Sequence, residues 1–238
     1  MRRFDWDAID LVVFDVDGTL YDQRRLRFAM ARQLLAHSWR SRSLDALRTL
    51  RTFRHVREEL GNAPDVSFLE AQYARTASRH NMTPQEVRSL ATEWMEQRPL
   101  PLLAACRYAG VEELFAALRA QGKQIAVFSD YPALDKLEAL GLRADSVVCA
   151  TDATIGRLKP DPAGLHEILR MSGAAPERAV MIGDRPDRDG AAARAARVNA
   201  LLLTRRSHPE FDTFRSYTDP VFEPLLRSAS ASPQAACT

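Results

Sequence analysis

Three short apolar runs in this chain of 238 residues stop abruptly at a polar residue: Val12-Val13-Phe14 at Asp15, Ile125-Ala126-Val127-Phe128 at Ser129, and Val180-Met181-Ile182-Gly183 at Asp184. Such runs alternate along the chain with helical patterns, which is the signature of a parallel sheet covered by helices. The predicted strands are residues 10–15, 124–128, 146–149, 179–183 and 199–203, with helices near 111–121, 132–140, 162–172 and 188–197. Gly122 and Gly141 fall where helices should stop, and Pro132 and Pro162 where they should start. In a sheet of this kind the ligand sits at the carboxyl ends of the strands, beside a topological switch point. Asp15, Ser129 and Asp184 are therefore expected in one crevice.

Asp15 and Asp17 sharpen this expectation. Side chains two apart on an extended segment share a face, so the two carboxylates converge at the tip of the first strand. A solubilising turn also places Asp and Gly after a strand, but here Thr19 and Leu20 follow and matching segments recur downstream.

Taken in order, Asp15-Val16-Asp17-Gly18-Thr19-Leu20, the strand ending in Ser129-Asp130, Lys159-Pro160-Asp161-Pro162, and Gly183-Asp184 with Asp189 a turn later form four motifs at plausible spacing. This set resembles the haloacid dehalogenase superfamily, in particular its Mg-dependent, phosphoglycolate-phosphatase-like branch with a helical cap between the first and second motifs. The resemblance implies an α/β fold, a Rossmann-like parallel sheet with helices on both faces plus an inserted α-helical cap. It implies a phosphatase that hydrolyses a phosphate monoester of a small molecule through an aspartyl-phosphate. Asp15 would be the nucleophile and Asp17 the acid and base, while Lys159 and Ser129 would hold the phosphoryl oxygens. Asp130 is read with the substrate-binding residues, although relatives often have Asn there. Asp17 also discriminates, because dehalogenating relatives usually lack a carboxylate at that position.

Crowding Asp15, Asp17, Asp184 and Asp189 together costs on the order of 4 kcal/mol per close pair at an effective dielectric near 20. A cation resolves the repulsion, and oxygen ligands without His or Cys favour Mg²⁺. The resemblance gives Asp15 and Asp184 as side-chain ligands and Asp17 as a backbone-carbonyl ligand, with Asp189 orienting a metal-bound water or Lys159. A sugar-phosphate mutase uses the same residues and remains the alternative enzyme. A phosphate-binding regulatory protein that has lost turnover is the alternative outside catalysis.

Residues 22–100 carry no such motif. Leu44, Leu47, Leu50, Phe53, Val56 and Leu60 recur at helical spacing toward Gly61, and Pro99 and Pro101 mark a return to the core. The expected organisation is a catalytic core of residues 1–21 and 101–218, a cap of residues 22–100, and a C-terminal tail of residues 219–238, low in complexity from Ser228 onward and partly disordered. The formal charge of +2 gives no argument for nucleic acid, yet residues 23–58 hold ten arginines and two acidic residues, a local +8. These arginines are either the solvated face of amphipathic helices or, in part, a wall of the cleft, with Arg24, Arg25 and Arg27 as the group to test. Cys106, Cys149 and Cys237 suggest neither disulfides nor zinc, and no run approaches a membrane span. A cytoplasmic location is expected.

Overall fold

The computed structural model describes residues 4–61 and 68–230. Six parallel strands, β1 (Leu11–Phe14), β2 (Gln124–Ser129), β3 (Ser146–Cys149), β4 (Ala179–Gly183), β5 (Asn199–Leu203) and β6 (Asp212–Phe214), form one sheet in the order β3-β2-β1-β4-β5-β6. The chain moves outward from β1 through β2 and β3, then returns to the other side of β1. That reversal opens a crevice at the carboxyl ends of β1 and β4. Phe14 stands level with Val127 on one side and Ile182 on the other, and the Asp15 amide donates to the Ile182 carbonyl at 2.9 Å. The strand tips are thereby held in register.

Alternation along β1 sends Val12 and Phe14 to one face and Leu11 and Val13 to the other, and all four are buried. Leu103, Leu114, Leu118 and Leu137 cover the first face, from helices α5 (Leu100–Cys106), α6 (Val111–Ala120) and α7 (Leu134–Ala139). Leu165, Ile168, Ala192 and Ala193, from α8 (Ala163–Ser172) and α9 (Ala191–Ala195), cover the second. Burial on both faces explains why the strands read as unbroken apolar runs.

Between β1 and α5 lie α1 (Gln23–Ser41), α2 (Asp45–Gly61), α3 (Phe68–His80), α4 (Pro84–Ala91) and a π-helical turn at Thr92–Gln97. Phe53, Tyr73, Ala77, Val87 and Ala91 make a small core of their own, while Val56, Leu60 and Phe68 pack on Ala150 and Leu158 from the sheet side. The apolar face of α2 is shorter than its sequence pattern: Leu50, Phe53, Val56 and Leu60 are buried, but Leu44 and Leu47 are 46% and 37% exposed.

β6 carries no sequence signal, since only Phe214 of its three residues is buried. The helix expected over 188–197 begins as a π-helical turn at Pro186–Gly190 and continues as α9. Of the stretch read as a tail, Pro220–Phe222 form a 3-10 turn and Glu223–Ser230 form α10, with Phe222 and Leu225 fully buried in the main core. The rest of the tail, with Cys237, lies outside the described residues. Cys106 and Cys149 are buried free thiols.

α9 is capped at Ala196, and the next residue, Arg197, adopts φ 59°. The Val198 amide returns to the Ala193 carbonyl at 2.9 Å, closing a Schellman turn whose left-handed position favours glycine. Arg197→Gly is therefore expected to raise stability by roughly 0.5–1 kcal/mol, after allowance for glycine's larger unfolded-state entropy. A urea titration with unchanged slope and a higher midpoint checks this.

Candidate active site

The tip of β1 delivers Asp15 almost fully buried, at 5% exposure. Its Oδ1 accepts from Lys159 Nζ at 2.6 Å and its Oδ2 from the Thr19 hydroxyl at 2.9 Å. Lys159 Nζ also donates to Asp189 Oδ1 at 2.7 Å and to the Phe128 carbonyl at 3.3 Å. The second oxygen of Asp189 accepts from the Asp184 and Arg185 amides at 3.1 and 3.0 Å, so Asp189 ties Lys159 to the loop that carries Asp184. Gly183 permits this, because a Cβ there would lie 2.4 Å from the Asp189 side chain. Gly18 plays the same part on the first loop: its φ is +98° and a Cβ would sit 2.4 Å from Asp184 Oδ2.

The Asp184 carboxylate makes no hydrogen bond among the described residues, and carboxylate oxygens of Asp15, Asp184 and Asp189 lie within 4.8 Å of one another. One ammonium faces three carboxylates. Burial, together with the charges of Asp189 and Asp184, holds Asp15 well above its ordinary value despite Lys159. Burial and the Asp189 charge push Asp184 up to about 7. Lys159 is held well above its usual value, because Asp15, Asp189 and Asp130 outweigh its burial. The cluster is short of positive charge, and its donors are all oxygens, so a hard divalent cation such as Mg²⁺ fits the residues present.

Asp17 stands beside this cluster with different partners. Both its oxygens accept from Lys136 Nζ at 2.7 Å, and Oδ1 also accepts from the Tyr21 hydroxyl. Burial opposes its charge, but Lys136 and the Tyr21 hydrogen bond prevail and hold Asp17 below the usual carboxylate range. Its side chain is thus committed away from the Asp15–Asp184–Asp189 group. Asp130, at the end of β2, accepts from the Lys159 amide at 3.0 Å through Oδ1, and burial raises its pKa. Ser129 is 1% exposed, and its hydroxyl accepts from the Tyr131 amide at 3.2 Å. It caps that turn, and it is not among the residues lining the cavity.

The sequence reading missed Lys136, Tyr21 and Arg188, and it held Arg57 only as one of the ten arginines of residues 23–58. Lys136 had a detectable signal, since the chain has thirty arginines and three lysines, Lys123, Lys136 and Lys159, and two of the three meet here. Arg57 comes from α2, is 6% exposed, stacks 3.9 Å from the Tyr131 ring centroid and donates to the Asp130 carbonyl. Arg188 donates to the Lys159 carbonyl at 2.8 Å and to Glu58 Oε2 at 3.0 Å, and Arg185 reaches Glu58 Oε1 at 2.9 Å. Glu58 and Arg57 therefore fasten α2 onto the loops that carry Asp184 and Asp130.

Over these groups lies a cavity of about 490 Å³ between the sheet and the helical insert. Asp15, Asp17, Asp130, Lys159, Asp184 and Asp189 line its sheet side. Of the ten arginines in residues 23–58, Arg27, Arg51, Arg54 and Arg57 line it; Arg24 and Arg25 do not.

Comparison with known proteins agrees with this fold. The family model described as haloacid dehalogenase-like hydrolase matches residues 9–197. The chain is 31% identical over 181 residues to a phosphoserine phosphatase of Thermus thermophilus, covering 74% of this chain and 59% of that protein. It is 30% identical over 196 residues to a phosphoglycolate phosphatase of Rhodospirillum rubrum, covering 81% and 78%. In fold it is similar to the crystal structure of a 2-haloacid dehalogenase from Pseudomonas syringae, with TM-score 0.63, 22% identity and coverage of 94% and 100%. The chain belongs to the haloacid dehalogenase-like hydrolases.

Proposed function

We propose that this protein is a Mg²⁺-dependent phosphatase that hydrolyses a phosphate monoester of a small molecule through an aspartyl-phosphate on Asp15. The observation that carries this reading is the Asp15 carboxylate at the floor of the cavity, 2.6 Å from Lys159 and grouped with the unpartnered Asp184. The named activities of the phosphoserine and phosphoglycolate phosphatases that resemble the chain support it.

Asp15 attacks phosphorus, and Lys159 neutralises charge on the phosphoryl oxygens, the main catalytic demand in phosphoryl transfer. Thr19, 2.9 Å from Asp15 Oδ2, and Lys159 on Oδ1 fix the orientation of the nucleophile. Asp17 handles the proton: a carboxylate at rest, it takes up the proton that the phosphate monoester brings in as its monoanion, gives that proton to the departing alcohol and, ionised again, takes one from the water that opens the intermediate. Lys136 and Tyr21 hold Asp17 in place and, in the resting site, as the carboxylate that the second step uses. Asp15 and Asp184 are the side chains that would hold Mg²⁺, with the Asp17 carbonyl as a further ligand; when bound, the ion supplies charge neutralisation for the phosphoryl group. Asp189 and Asp130 act as positioning residues on Lys159, through its ammonium and its amide. Ser129 shapes the turn at the end of β2 and sets the approach of Asp130.

The test is phosphate release from a broad panel of monoesters, an activated aryl phosphate included. Release is expected with Mg²⁺, and its loss with EDTA or in Asp184→Asn. Mg²⁺ is also expected to raise the melting temperature of the wild type and not of Asp184→Asn, because a ligand bound only to the folded state stabilises it. No release from the panel, or equal release in EDTA, contradicts the reading.

A further inference from the structure

The cavity extends well beyond what a phosphoryl group occupies. At about 490 Å³ it falls in the range of roughly 300–1,000 Å³ that houses drug-sized ligands. Its roof is built from two complete helix faces. On α1 the lining residues Gln23, Leu26, Arg27, Met30 and Leu34 recur at three- and four-residue steps, and on α2 Leu47, Leu50, Arg51, Arg54, Arg57 and Glu58 do the same.

The α2 face works as a ruler. Its end nearest the sheet is pinned, because Arg57 donates to the Asp130 carbonyl and Glu58 pairs with Arg185 and Arg188. At a rise of about 1.5 Å per residue, Arg54 stands about 4.5 Å and Arg51 about 9 Å farther along the axis, with Leu50 and Leu47 beyond. Arg27, Arg51 and Arg54 have no hydrogen bond or ion pair among the described residues. The cavity acids outside the Asp15–Asp184–Asp189 group are already taken: Glu58 by Arg185 and Arg188, Asp17 by Lys136, and Asp130 by the Lys159 amide. The cavity is thus polarised: a cation-demanding acidic floor, unpaired guanidiniums in the roof, and apolar side chains between and around them. Arg24 and Arg25 lie outside it and fit a solvated face, with their amides capped by Asp22.

Building on the phosphatase reading, we propose that the substrate is an elongated organic phosphate with an apolar body and a second acidic group at its far end, received by Arg51 and Arg54 with Arg27. The body lies along Leu26, Met30 and Leu50. Arg51 stands about 9 Å along α2 from Arg57, which is bonded to the Asp130 carbonyl, so reception at Arg51 calls for a body longer than that of a two-carbon acid phosphate.

The experiment measures kcat/KM with Mg²⁺ for two matched series, n-alkyl phosphates and ω-carboxyalkyl phosphates of two to eight carbons. The expected result is a preference for the carboxylated member that appears only in the longer compounds and reaches roughly tenfold or more, the scale of a charge-assisted hydrogen bond. The preference should collapse toward unity in the double variant Arg51→Gln, Arg54→Gln. It should survive in Arg24→Gln, Arg25→Gln and weaken as salt is raised. Calorimetric titration of the matching phosphonates, which need no turnover, reads the same preference as binding. The proposal is overturned if the two-carbon acid is preferred, or if the double variant keeps the wild-type preference. Failure to hydrolyse any phosphate while the phosphonates show the length-dependent preference overturns the phosphatase reading alone.

Discussion

Asp15→Asn is expected to lower kcat by at least about 10⁴-fold on every phosphate ester while leaving the chain folded, as read by steady-state kinetics beside urea titration. The size follows from removing the atom that forms the covalent intermediate, a loss that residual binding and electrostatics do not replace. Folding is spared for a local reason. Asp15 shares its surroundings with Asp184 and Asp189, and burial already holds its carboxyl far above the ordinary range. A neutral amide of the same shape relieves that repulsion, and Lys159 keeps Asp189 as a partner at 2.7 Å. A variant that retains turnover, or one that unfolds, contradicts the role given to Asp15.

Lys159→Ala is expected to act on both stability and rate. Lys159 is 2% exposed and is the cation paired with Asp15 and with Asp189. Its sequence position suggests a polar cleft residue whose loss spares the fold, but its burial says otherwise. Removing it leaves two buried carboxylates uncompensated, with an expected cost of about 3 kcal/mol, the lower end for broken buried pairs because the carboxyls can take up protons. The Asp189 bonds to the Asp184 and Arg185 amides remain, so the loop should hold at low temperature. Turnover should fall by roughly 10²–10³-fold through lost stabilisation of the phosphoryl charge. Mg²⁺ should recover part of the stability, because it supplies positive charge to the same oxygens. An unchanged urea midpoint together with unchanged kinetics would remove Lys159 from the site.

The strand-borne part of this site was legible because a buried parallel strand that ends in a carboxylate has no structural reason to do so. Asp15, Asp184 and the register that unites them follow from apolar runs and their endpoints. Lys159 was legible through its Pro-Asp-Pro context. Lys136 was not read, since its position in α7 resembles a solvated helix lysine; it becomes 7% exposed only because Asp17 and Tyr131 meet it from other segments. Arg57 hides for a related reason. It continues the arginine pattern of α2, but Gln72 and the Tyr131 ring make a buried seat for it that no local pattern encodes.

The charge of residues 23–58 divides in the same way. Ten arginines are visible in the sequence, yet which of them line the cavity depends on the rotation of α1 and α2 about their axes. Of Arg24, Arg25 and Arg27 on α1 only Arg27 lines the cavity, whereas Arg51 and Arg54 on α2 both do. The burial of Phe222 and Leu225 was obscured by the Ser- and Ala-rich segment that follows them.

The covalent intermediate is the most direct test. A single turnover of an activated aryl phosphate with Mg²⁺, quenched in acid within milliseconds and mapped by peptide mass spectrometry, should show one phosphate on the peptide that contains Asp15, labile to hydroxylamine and absent in Asp15→Asn. A phosphate trapped on Asp17, Ser129 or any other residue, or a burst of product with no phosphorylated peptide, contradicts nucleophilic catalysis by Asp15.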